Sequence, residues 1–270
     1  MKFTFVSFFI VMVFVSQNVL AQKDPNLIKI LSYNIYHGEN PNQPGKSNLD
    51  DIANLIIQVQ PEVIALQEID SMTVRTDTLF GTRVNLIAEL IKRTGYRGYF
   101  GKAMNYDEGG YGVGLLVKKG SGYKTQKLPT PAGGEPRAAA WVKAELKSLK
   151  EVYFASTHFS NDTSVNRLAQ LKDLISYADT LSLPTFFAGD LNFDPESEEY
   201  KSIPSNWKDA GLVAGDTTAT YAGETGKRID YVWYDSDAFE LVEYKVIDLP
   251  HSDHFPVLVT LRLIIKPDPI

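Results

Sequence analysis

The sequence predicts an α/β fold in which two mixed β-sheets pack together and helices lie outside them. Short apolar, β-branched runs recur along the chain and indicate strands, whereas only a few segments have helical periodicity. The strand candidates are too apolar to face water on both sides, so the sheets are expected to pack on each other. No repeat, low-complexity tract or linker divides the chain, and one domain is expected for 270 residues.

The first part of the chain alternates strand and helix candidates. In chain order these are a strand at 28–33, a helix at 48–60, a strand at 63–66 and a helix at 82–94. Asn48 or Asp50 can cap the first helix, and Pro61 ends it before the second strand. Gly95 ends the second helix.

The middle of the chain is rich in strands, which are separated by turns that contain Gly and Pro. One amphipathic helix and further apolar strands follow. In chain order the candidates are strands at 111–117, 138–146 and 151–157, the helix at 163–179, and strands at 184–188, 229–233, 241–246 and 257–264.

Residues 1–21 have the pattern of a secretory signal peptide. Lys2 is the only charge, an apolar run follows, and small residues precede the expected cleavage site before Gln22. An uncleaved membrane anchor is the alternative, but polar residues at 16–18 shorten the apolar core. We therefore expect an exported protein, periplasmic or secreted, whose domain covers residues 22–270 and which has no stable membrane insertion after cleavage.

The composition excludes several classes of site. The chain has no cysteine, which rules out disulfides, zinc–thiolate sites, iron–sulfur clusters and cysteine nucleophiles. Its net charge of −6 argues against tight, nonspecific binding to nucleic acid, although a local basic patch can outweigh the net charge. The lysines that can form such a patch, or that are simply solvated in turns, are Lys102, Lys118, Lys119, Lys124 and Lys127.

Polar residues that can carry chemistry stand at the ends of the apolar strands. Loops at strand ends present side chains on a rigid scaffold, so these residues form a candidate site. Each one alone also has an ordinary interpretation as a turn residue, a cap or a satisfied core histidine. The residues are Asn34, Glu68, His158, Asp190, Asn192, Asp230, Asp253 and His254.

This set of side chains favours one kind of chemistry. Carboxylate and amide oxygens without thiolates suit a hard cation such as Mg²⁺ or Mn²⁺, and nearby histidines can hydrogen-bond anionic oxygens or transfer protons. A serine nucleophile is not supported, because there is no Gly-x-Ser-x-Gly motif. The glycines at 109–114 precede a strand and do not open a helix, which argues against a dinucleotide site. A glycosidase needs two carboxylates but not the asparagines or the closing Asp-His pair.

Six short motifs occur in order along the chain. They are SYNI (Ser32–Ile35), LQE (Leu66–Glu68), STH (Ser156–His158), GDLN (Gly189–Asn192), RIDYV (Arg228–Val232) and SDHFPV (Ser252–Val257). In this combination they resemble the endonuclease/exonuclease/phosphatase superfamily. The resemblance implies a four-layer α/β sandwich, in agreement with the two packed sheets, and a metal-dependent hydrolase of phosphodiesters or phosphomonoesters.

The resemblance also implies a metal site for Mg²⁺ or Mn²⁺. Glu68 matches the principal metal-ligand glutamate of the family. Asn34 and Asp253 match residues that complete or support the metal shell.

The catalytic residues implied by the resemblance surround this metal. Asp190 matches the aspartate that positions or deprotonates the attacking water, and Asn192 matches the amide that holds the same region. His254 matches the histidine that donates to phosphoryl oxygens, and Asp230 the carboxylate that orients it. His158 matches a second histidine that faces the phosphate.

Three further residues are candidates for contact with the substrate phosphate. Arg137, at the start of a strand, and Arg75, after the Gln-Glu motif, stand where the family has arginines, or else are ordinary surface charges. Tyr111 matches a family tyrosine near the site, or else is a core aromatic.

The substrate stays open, because a shared fold transfers chemistry better than specificity. The candidates are a small phosphoester, a lipid head group and nucleic acid, so a nuclease is one alternative. A binding protein that kept the fold without catalysis is an alternative of another class, and the complete set of candidate residues argues against it. We expect a monomer.

Overall fold

The computed structural model describes residues 24–223 and 226–265. The signal peptide expected at residues 1–21 lies outside the described residues. The described residues form twelve strands: β1 (Leu27–Asn34), β2 (Val63–Ser71), β3 (Arg97–Tyr106), β4 (Gly109–Val117), β5 (Gly120–Leu128), β6 (Arg137–Glu145), β7 (Glu151–His158), β8 (Thr185–Asp190), β9 (Trp207–Asp209), β10 (Asp230–Asp235), β11 (Phe239–Val246) and β12 (Val257–Leu263). The same residues form six α-helices: α1 (Leu49–Val59), α2 (Val74–Phe80), α3 (Leu86–Thr94), α4 (Ser164–Ala178), α5 (Glu198–Lys201) and α6 (Ala210–Ala214).

The strands form two mixed sheets of six strands each. The first has the order β11-β12-β1-β2-β4-β3, and the second has the order β5-β6-β7-β8-β10-β9. Each sheet has one parallel pair near its centre, β1 with β2 and β7 with β8, and the other pairs are antiparallel. The prediction of two mixed sheets is confirmed.

Three apolar clusters give the molecule its four layers. One cluster lies between the sheets and joins side chains such as Ile30 and Val113 to Phe154 and Phe186. A second packs α1 and α3 on the outer face of the first sheet. The third packs α4 on the outer face of the second sheet, around Trp141. Two helical layers therefore enclose two sheets, which confirms the four-layer α/β sandwich.

The elements that the sequence pattern missed lie mostly at sheet edges. β3 and β5 are edge strands, so many of their side chains are exposed and the apolar signal is weak. The helix expected at 82–94 begins only at Leu86, because Asn85 caps it by accepting from the backbone N–H groups of Ile87 and Ala88. The separate helix α2 precedes it.

Glycines at 109–114 serve the packing of β3 on β4. A Cβ on Gly112 would lie 2.2 Å from the carbonyl oxygen of Gly101 on the neighbouring strand. Only glycine allows the two backbones to approach this closely.

The topology brings the candidate residues to one end of the sandwich. The parallel pairs β1–β2 and β7–β8 place their carboxyl ends side by side in each sheet. β10 runs antiparallel to β8, so it begins where β8 ends, with Asp230 paired opposite Asp190. β12 is antiparallel to β1, and the segment before it therefore reaches the same end.

Candidate active site

A cavity of about 470 Å³ opens at this end of the molecule. Its volume is in the range of small-molecule sites. The residues that line it are Glu68, Tyr111, Glu135, Arg137, His158, Asn161, Asp190, Asn192, Tyr221, Lys227, Ile229, Asp253 and His254. Of the site residues expected from sequence, Asn34, Asp230 and Arg75 do not line the cavity; the first two lie buried directly behind it.

Asp190 is presented by a backbone turn that requires glycine. Gly189 has a φ of 155°, and a Cβ there would lie 1.9 Å from the carbonyl oxygen of Thr157 on β7. Asn192 then adopts a left-handed conformation with a φ of 53°, and its backbone N–H donates to Asp190 Oδ1 at 3.0 Å. The GDLN motif is thus a tight turn that directs one buried carboxylate into the cavity.

Asp190 lies among donors from both sheets. Its Oδ2 accepts from Asn34 Nδ2 at 3.2 Å and lies 3.4 Å from His158 Nε2 and 3.7 Å from His254 Nε2. Burial raises the pKa of Asp190 above its ordinary value, although the charge of His254 opposes this. A carboxylate with a raised pKa is a better proton acceptor, as a general base requires.

His254 forms a buried pair with Asp230. Its Nδ1 donates to Asp230 Oδ2 at 2.8 Å, and both side chains are almost fully buried. Burial lowers the pKa of His254, but the carboxylates of Asp230 and Asp190 outweigh burial and raise the pKa to about 10. The ring is therefore an imidazolium at neutral pH, with its Nε2–H directed toward Asp190 and the cavity.

His158 is held in the opposite protonation state. Arg137 Nη1 donates to His158 Nδ1 at 3.0 Å, so this nitrogen is an acceptor and the N–H of the neutral ring is on Nε2. Burial lowers the pKa of His158 well below its ordinary value, and the charge of Arg137 lowers it further. Arg137 itself is 3% exposed and pairs with Glu135 at 3.2 Å. Arg137 therefore lies in the cavity wall and is no surface charge.

Glu68 lies inside a longer strand than the sequence pattern indicated. β2 continues to Ser71, and its register with β4 shifts between Leu66 and Ile69. Glu68 sits in this break with a φ of 58°, which turns its side chain into the cavity. Burial acts to raise the pKa of Glu68, but hydrogen bonds from His37 and Asn34 lower it to about 2. The carboxylate is ionised at neutral pH.

Asp253 lines the same cavity as Glu68. Ser252 Oγ donates to the carbonyl oxygen of Asn34 at 2.8 Å, which ties this loop to β1, and lies 3.2 Å from Asp253 Oδ1. Burial raises the pKa of Asp253, and the nearby charge of Glu68 raises it further, although His254 opposes both. Two carboxylates that repel each other across one cavity suit a divalent cation, because a dication relieves that repulsion.

Asn34 lies buried behind the cavity and holds two of its carboxylates by hydrogen bonds. It is fully buried and donates through Nδ2 to Glu68 Oε1 at 3.1 Å as well as to Asp190. Its Oδ1 accepts from the backbone N–H of Tyr36 at 3.2 Å. In this arrangement both the nitrogen and the oxygen of the Asn34 amide are engaged by protein groups.

Ligand atoms of Asp190, Asp230 and His254 also lie within 4.8 Å of one another. This trio is poorly suited to a cation, because the hydrogen bond to Asp230 and the raised pKa keep His254 protonated on both nitrogens. Glu68 and Asp253 line the same cavity and are the better candidates for metal ligands.

The remaining phosphate candidates have different positions. Arg75 does not line the cavity; it makes a bidentate pair with the buried Asp70, at 2.8 Å through both Nε and Nη2. Its guanidinium also lies over the ring of Tyr106. Tyr111 does line the cavity and is 8% exposed, and burial raises the pKa of its hydroxyl well above the ordinary value. Tyr111 is therefore a neutral hydrogen-bonding group in the wall.

The lysines considered as a basic patch do not reach the cavity. Lys118 pairs with Glu62, Lys119 pairs with Glu145, and Lys124 lies over the ring of Tyr177. Lys102 and Lys127 are likewise absent from the cavity lining.

Several lining residues were missed from the sequence. Tyr221 forms an isolated β-bridge with His254, and the two rings are 4.9 Å apart. Asn161 follows the His158 motif by three residues, a signal that the motif analysis did not use. Lys227 and Ile229 flank the start of the RIDYV motif, but nothing in their local pattern indicates a cavity.

The sequence matches the model of the Endonuclease/Exonuclease/phosphatase family over residues 31–254. The chain belongs to this family. Its members are hydrolases that act on phosphoester bonds, and the family is typically dependent on divalent metals. A comparison with curated proteins finds no match.

Solved structures share the fold of this family member. An endonuclease/exonuclease/phosphatase from Beutenbergia cavernae superposes with a TM-score of 0.74 at 22% identity, covering 88% of this chain and 72% of that one. The human nocturnin catalytic domain has a TM-score of 0.69 at 22% identity, with 88% and 94% covered. A mannosyl-6-phosphatase from Bacteroides thetaiotaomicron has a TM-score of 0.67 at 17% identity, with 88% and 100% covered.

In the part of the chain that the structure describes, no helix combines the length and apolar character needed to cross a bilayer.

Proposed function

We propose that the protein is an exported, divalent-metal-dependent phosphoesterase that hydrolyses its substrate by direct attack of water. One observation carries this proposal: Glu68, His158, Asp190 and the adjacent pair Asp253-His254 come from four separate segments and line a single cavity. Export is supported by the signal-peptide pattern of residues 1–21.

Glu68 and Asp253 would hold the metal, with Asn34 fixing the position of Glu68. Their oxygen donors suit Mg²⁺ or Mn²⁺. When bound, the cation would supply positive charge to the oxygens of the phosphoester.

Asp190 would orient the attacking water and accept its proton. Its raised pKa favours this role, and hydrogen bonds from Asn34 and Asn192 fix its two oxygens. No side chain needs to form a covalent bond with phosphorus, so inversion at a chiral thiophosphate is expected.

The two histidines would act on the phosphoryl oxygens in different ways. His254, charged through its pair with Asp230, would stabilise the negative charge that develops in the transition state and can donate a proton to the leaving oxygen. His158, neutral and fixed by Arg137, would donate a hydrogen bond through Nε2. Asn192 links the segments that carry Asp190 and His158. Its backbone N–H donates to Asp190 Oδ1, and its side chain donates to the carbonyl oxygen of Phe159, the residue after His158, at 3.0 Å.

The activity is tested with bis-p-nitrophenyl phosphate in the presence of Mg²⁺ or Mn²⁺. We expect hydrolysis that EDTA abolishes and that falls at least about 100-fold in Asp190→Asn and in His254→Gln. Arg75→Gln is the matched control outside the cavity and should retain activity in its folded fraction. Activity that survives the chelator, or that is unchanged in both site variants, would contradict the proposal. No hydrolysis by the wild type would favour a binding protein.

We further propose a compact phosphoester as the substrate. The cavity carries Arg137 and Lys227 but also Glu135, and the surface lysines lie elsewhere, so a long polyanion finds no continuous basic track. The likeness to a mannosyl-6-phosphatase is consistent with this choice. A side-by-side comparison of a hexose 6-phosphate, phosphoinositides, sphingomyelin and plasmid DNA tests it, and preferential cleavage of plasmid DNA would establish the nuclease alternative.

A further inference from the structure

His37 is a buried histidine with no role in the mechanism above. It lies in a short 3₁₀ turn, Tyr36–Gly38, that directly follows β1. It is 8% exposed and does not line the cavity, so it does not meet the phosphoester directly. Its ring packs against the ring of Tyr36, with 4.3 Å between centroids.

Both ring nitrogens of His37 face carboxylate oxygens. Nδ1 lies 3.5 Å from Glu68 Oε2, and Nε2 lies 3.1 Å from Glu39 Oε2. Ionised carboxylates only accept hydrogen bonds, so a ring nitrogen of His37 contributes to either contact as an N–H donor. The other oxygen of Glu68 accepts from Asn34. His37 and Asn34 therefore hold the two oxygens of Glu68 from two directions.

The backbone around His37 is held in an unfavourable conformation. Tyr36, His37 and Gly38 all have positive φ, at 49°, 45° and 82°. Residues with a Cβ adopt this region at a cost, and glycine or asparagine fits it best. Residues held in this way cluster at functional sites, where the surrounding structure maintains them.

Asn48 is the group that maintains this turn. Its buried Nδ2 lies within hydrogen-bond distance of the carbonyl oxygens of Ile35, Glu39 and His251, at 3.1, 2.9 and 2.6 Å, and its two hydrogens are shared among these three acceptors. The turn that carries His37 is thereby tied to the loop that leads to Asp253. A rigid turn that directs a histidine at Glu68 is best explained by a need to orient that carboxylate.

We propose that His37 is a positioning residue: together with Glu39 it fixes the orientation of the Glu68 carboxylate for a divalent cation. The inference rests on the proposed metal site and adds a residue to it. Partners of this kind typically change metal affinity by about 10- to 100-fold when they are removed.

The test is the dissociation constant for Mn²⁺, measured on the purified protein by electron paramagnetic resonance of the free ion. His37→Gly removes the ring and relieves the backbone, so we expect at least about 10-fold weaker Mn²⁺ binding without a lower unfolding midpoint. His37→Asn keeps a side-chain donor close to Nδ1 and suits positive φ, so it should bind within about threefold of the wild type. His251→Asn is the control, because that ring faces only Asp51, at 3.7 Å.

The outcomes separate this inference from the metal site itself. The inference is overturned if His37→Gly binds Mn²⁺ as tightly as the wild type, or if His37→Asn binds as weakly as His37→Gly. Glu68→Ala should abolish the binding. If the wild type binds no Mn²⁺, or if Glu68→Ala binds it normally, the proposed metal site fails and the positioning role fails with it.

Discussion

At the scale of single residues, the two histidines of the site differ because their neighbours differ. His254 donates to Asp230 and its pKa is raised, whereas His158 accepts from Arg137 and its pKa is lowered. The same side chain therefore supplies one charged and one neutral donor in a single cavity. The motifs indicated both histidines and paired His254 with Asp230, but the pairing of His158 with Arg137 was not recognised from the sequence.

A buried ion pair away from the site gives a pH-dependent prediction. Glu199 is 2% exposed, and Arg167 Nε donates to it at 2.7 Å. Burial acts to raise the pKa of Glu199, but backbone and Arg167 hydrogen bonds lower it below the ordinary value. Its stabilising effect is thus present above the pKa of the unfolded chain, about 4.3, and is lost as pH falls through the lower folded pKa.

We therefore expect Glu199→Gln to lower the free energy of unfolding by about 1–3 kcal/mol at pH 7. The difference from the wild type should be smaller at pH 3, because a larger fraction of the wild-type carboxylate is then protonated. Urea denaturation at both pH values measures this. Glu198→Gln is the control, because Glu198 is an exposed neighbour in the same helix, and it should change the stability little at either pH. An equal effect of Glu199→Gln at pH 7 and pH 3 would show that ionisation of Glu199 does not contribute to stability.

At the scale of elements, the turn after β1 depends on one side chain. Asn48 stands at the N-cap position of α1 but makes no capping hydrogen bond, contrary to the sequence prediction. Its amide nitrogen instead shares its two hydrogens among three carbonyl oxygens of neighbouring loops. Asn48→Ala leaves buried acceptors without donors, so the free energy of unfolding should fall by about 2–4 kcal/mol.

Thermal or urea unfolding checks the Asn48 prediction. Asn54→Ala, on the exposed face of the same helix, is the control and should be neutral or slightly stabilising because alanine is the better helix former. Equal stabilities for the two variants would show that Asn48 does not hold the loops together.

The end of β8 gives a second test at this scale. Gly189→Ala places a Cβ against the backbone of Thr157, which cannot move within a sheet, so we expect a loss of more than about 3 kcal/mol or a failure to fold. Gly133→Ala is the matched control, because Gly133 also has positive φ, at 78°, but a Cβ there would have no atom within 4 Å. Only the backbone cost of about 1–2 kcal/mol should appear there. Similar losses for both variants would contradict the steric account.

The sequence was most informative for the central elements. β1, β7 and β12 are buried strands with strong apolar patterns, and the prediction located each of them within about two residues. The edge strands β3 and β5 were missed because half-exposed strands lack that pattern. The bulge at Glu68 was also missed, since a local shift in register leaves no periodic signal.

At the scale of the whole molecule, the candidate site joins the two sheets. Asn34 on β1 contacts Asp190 on β8, and Ser156 on β7 donates to the carbonyl oxygen of Leu66 on β2. The motifs predicted which residues belong together, but the contacts between sheets depend on the packing of the sandwich. Arg75 was a candidate for contact with the phosphate because its position after the Gln-Glu motif suggested it. Its partner Asp70 was not recognised from the sequence, and in the structure the Arg75 guanidinium pairs with that carboxylate.

A bound cation should therefore stabilise the whole fold. Binding to the folded state alone adds about 2.7 kcal/mol to the free energy of unfolding when the ion is at 100 times its dissociation constant. We expect Mn²⁺ to raise the unfolding midpoint of the wild type but not that of Glu68→Ala. Differential scanning calorimetry with and without EDTA measures the shift, and an equal shift in both proteins would place the ion elsewhere.

The most direct measurement is the anomalous scattering of Mn²⁺ in crystals of the protein. A single peak in the cavity, about 2.0–2.6 Å from carboxylate oxygens of both Glu68 and Asp253, is the predicted result. A peak bound only by Asp190, Asp230 and His254, or no peak in the cavity at saturating Mn²⁺, would contradict it.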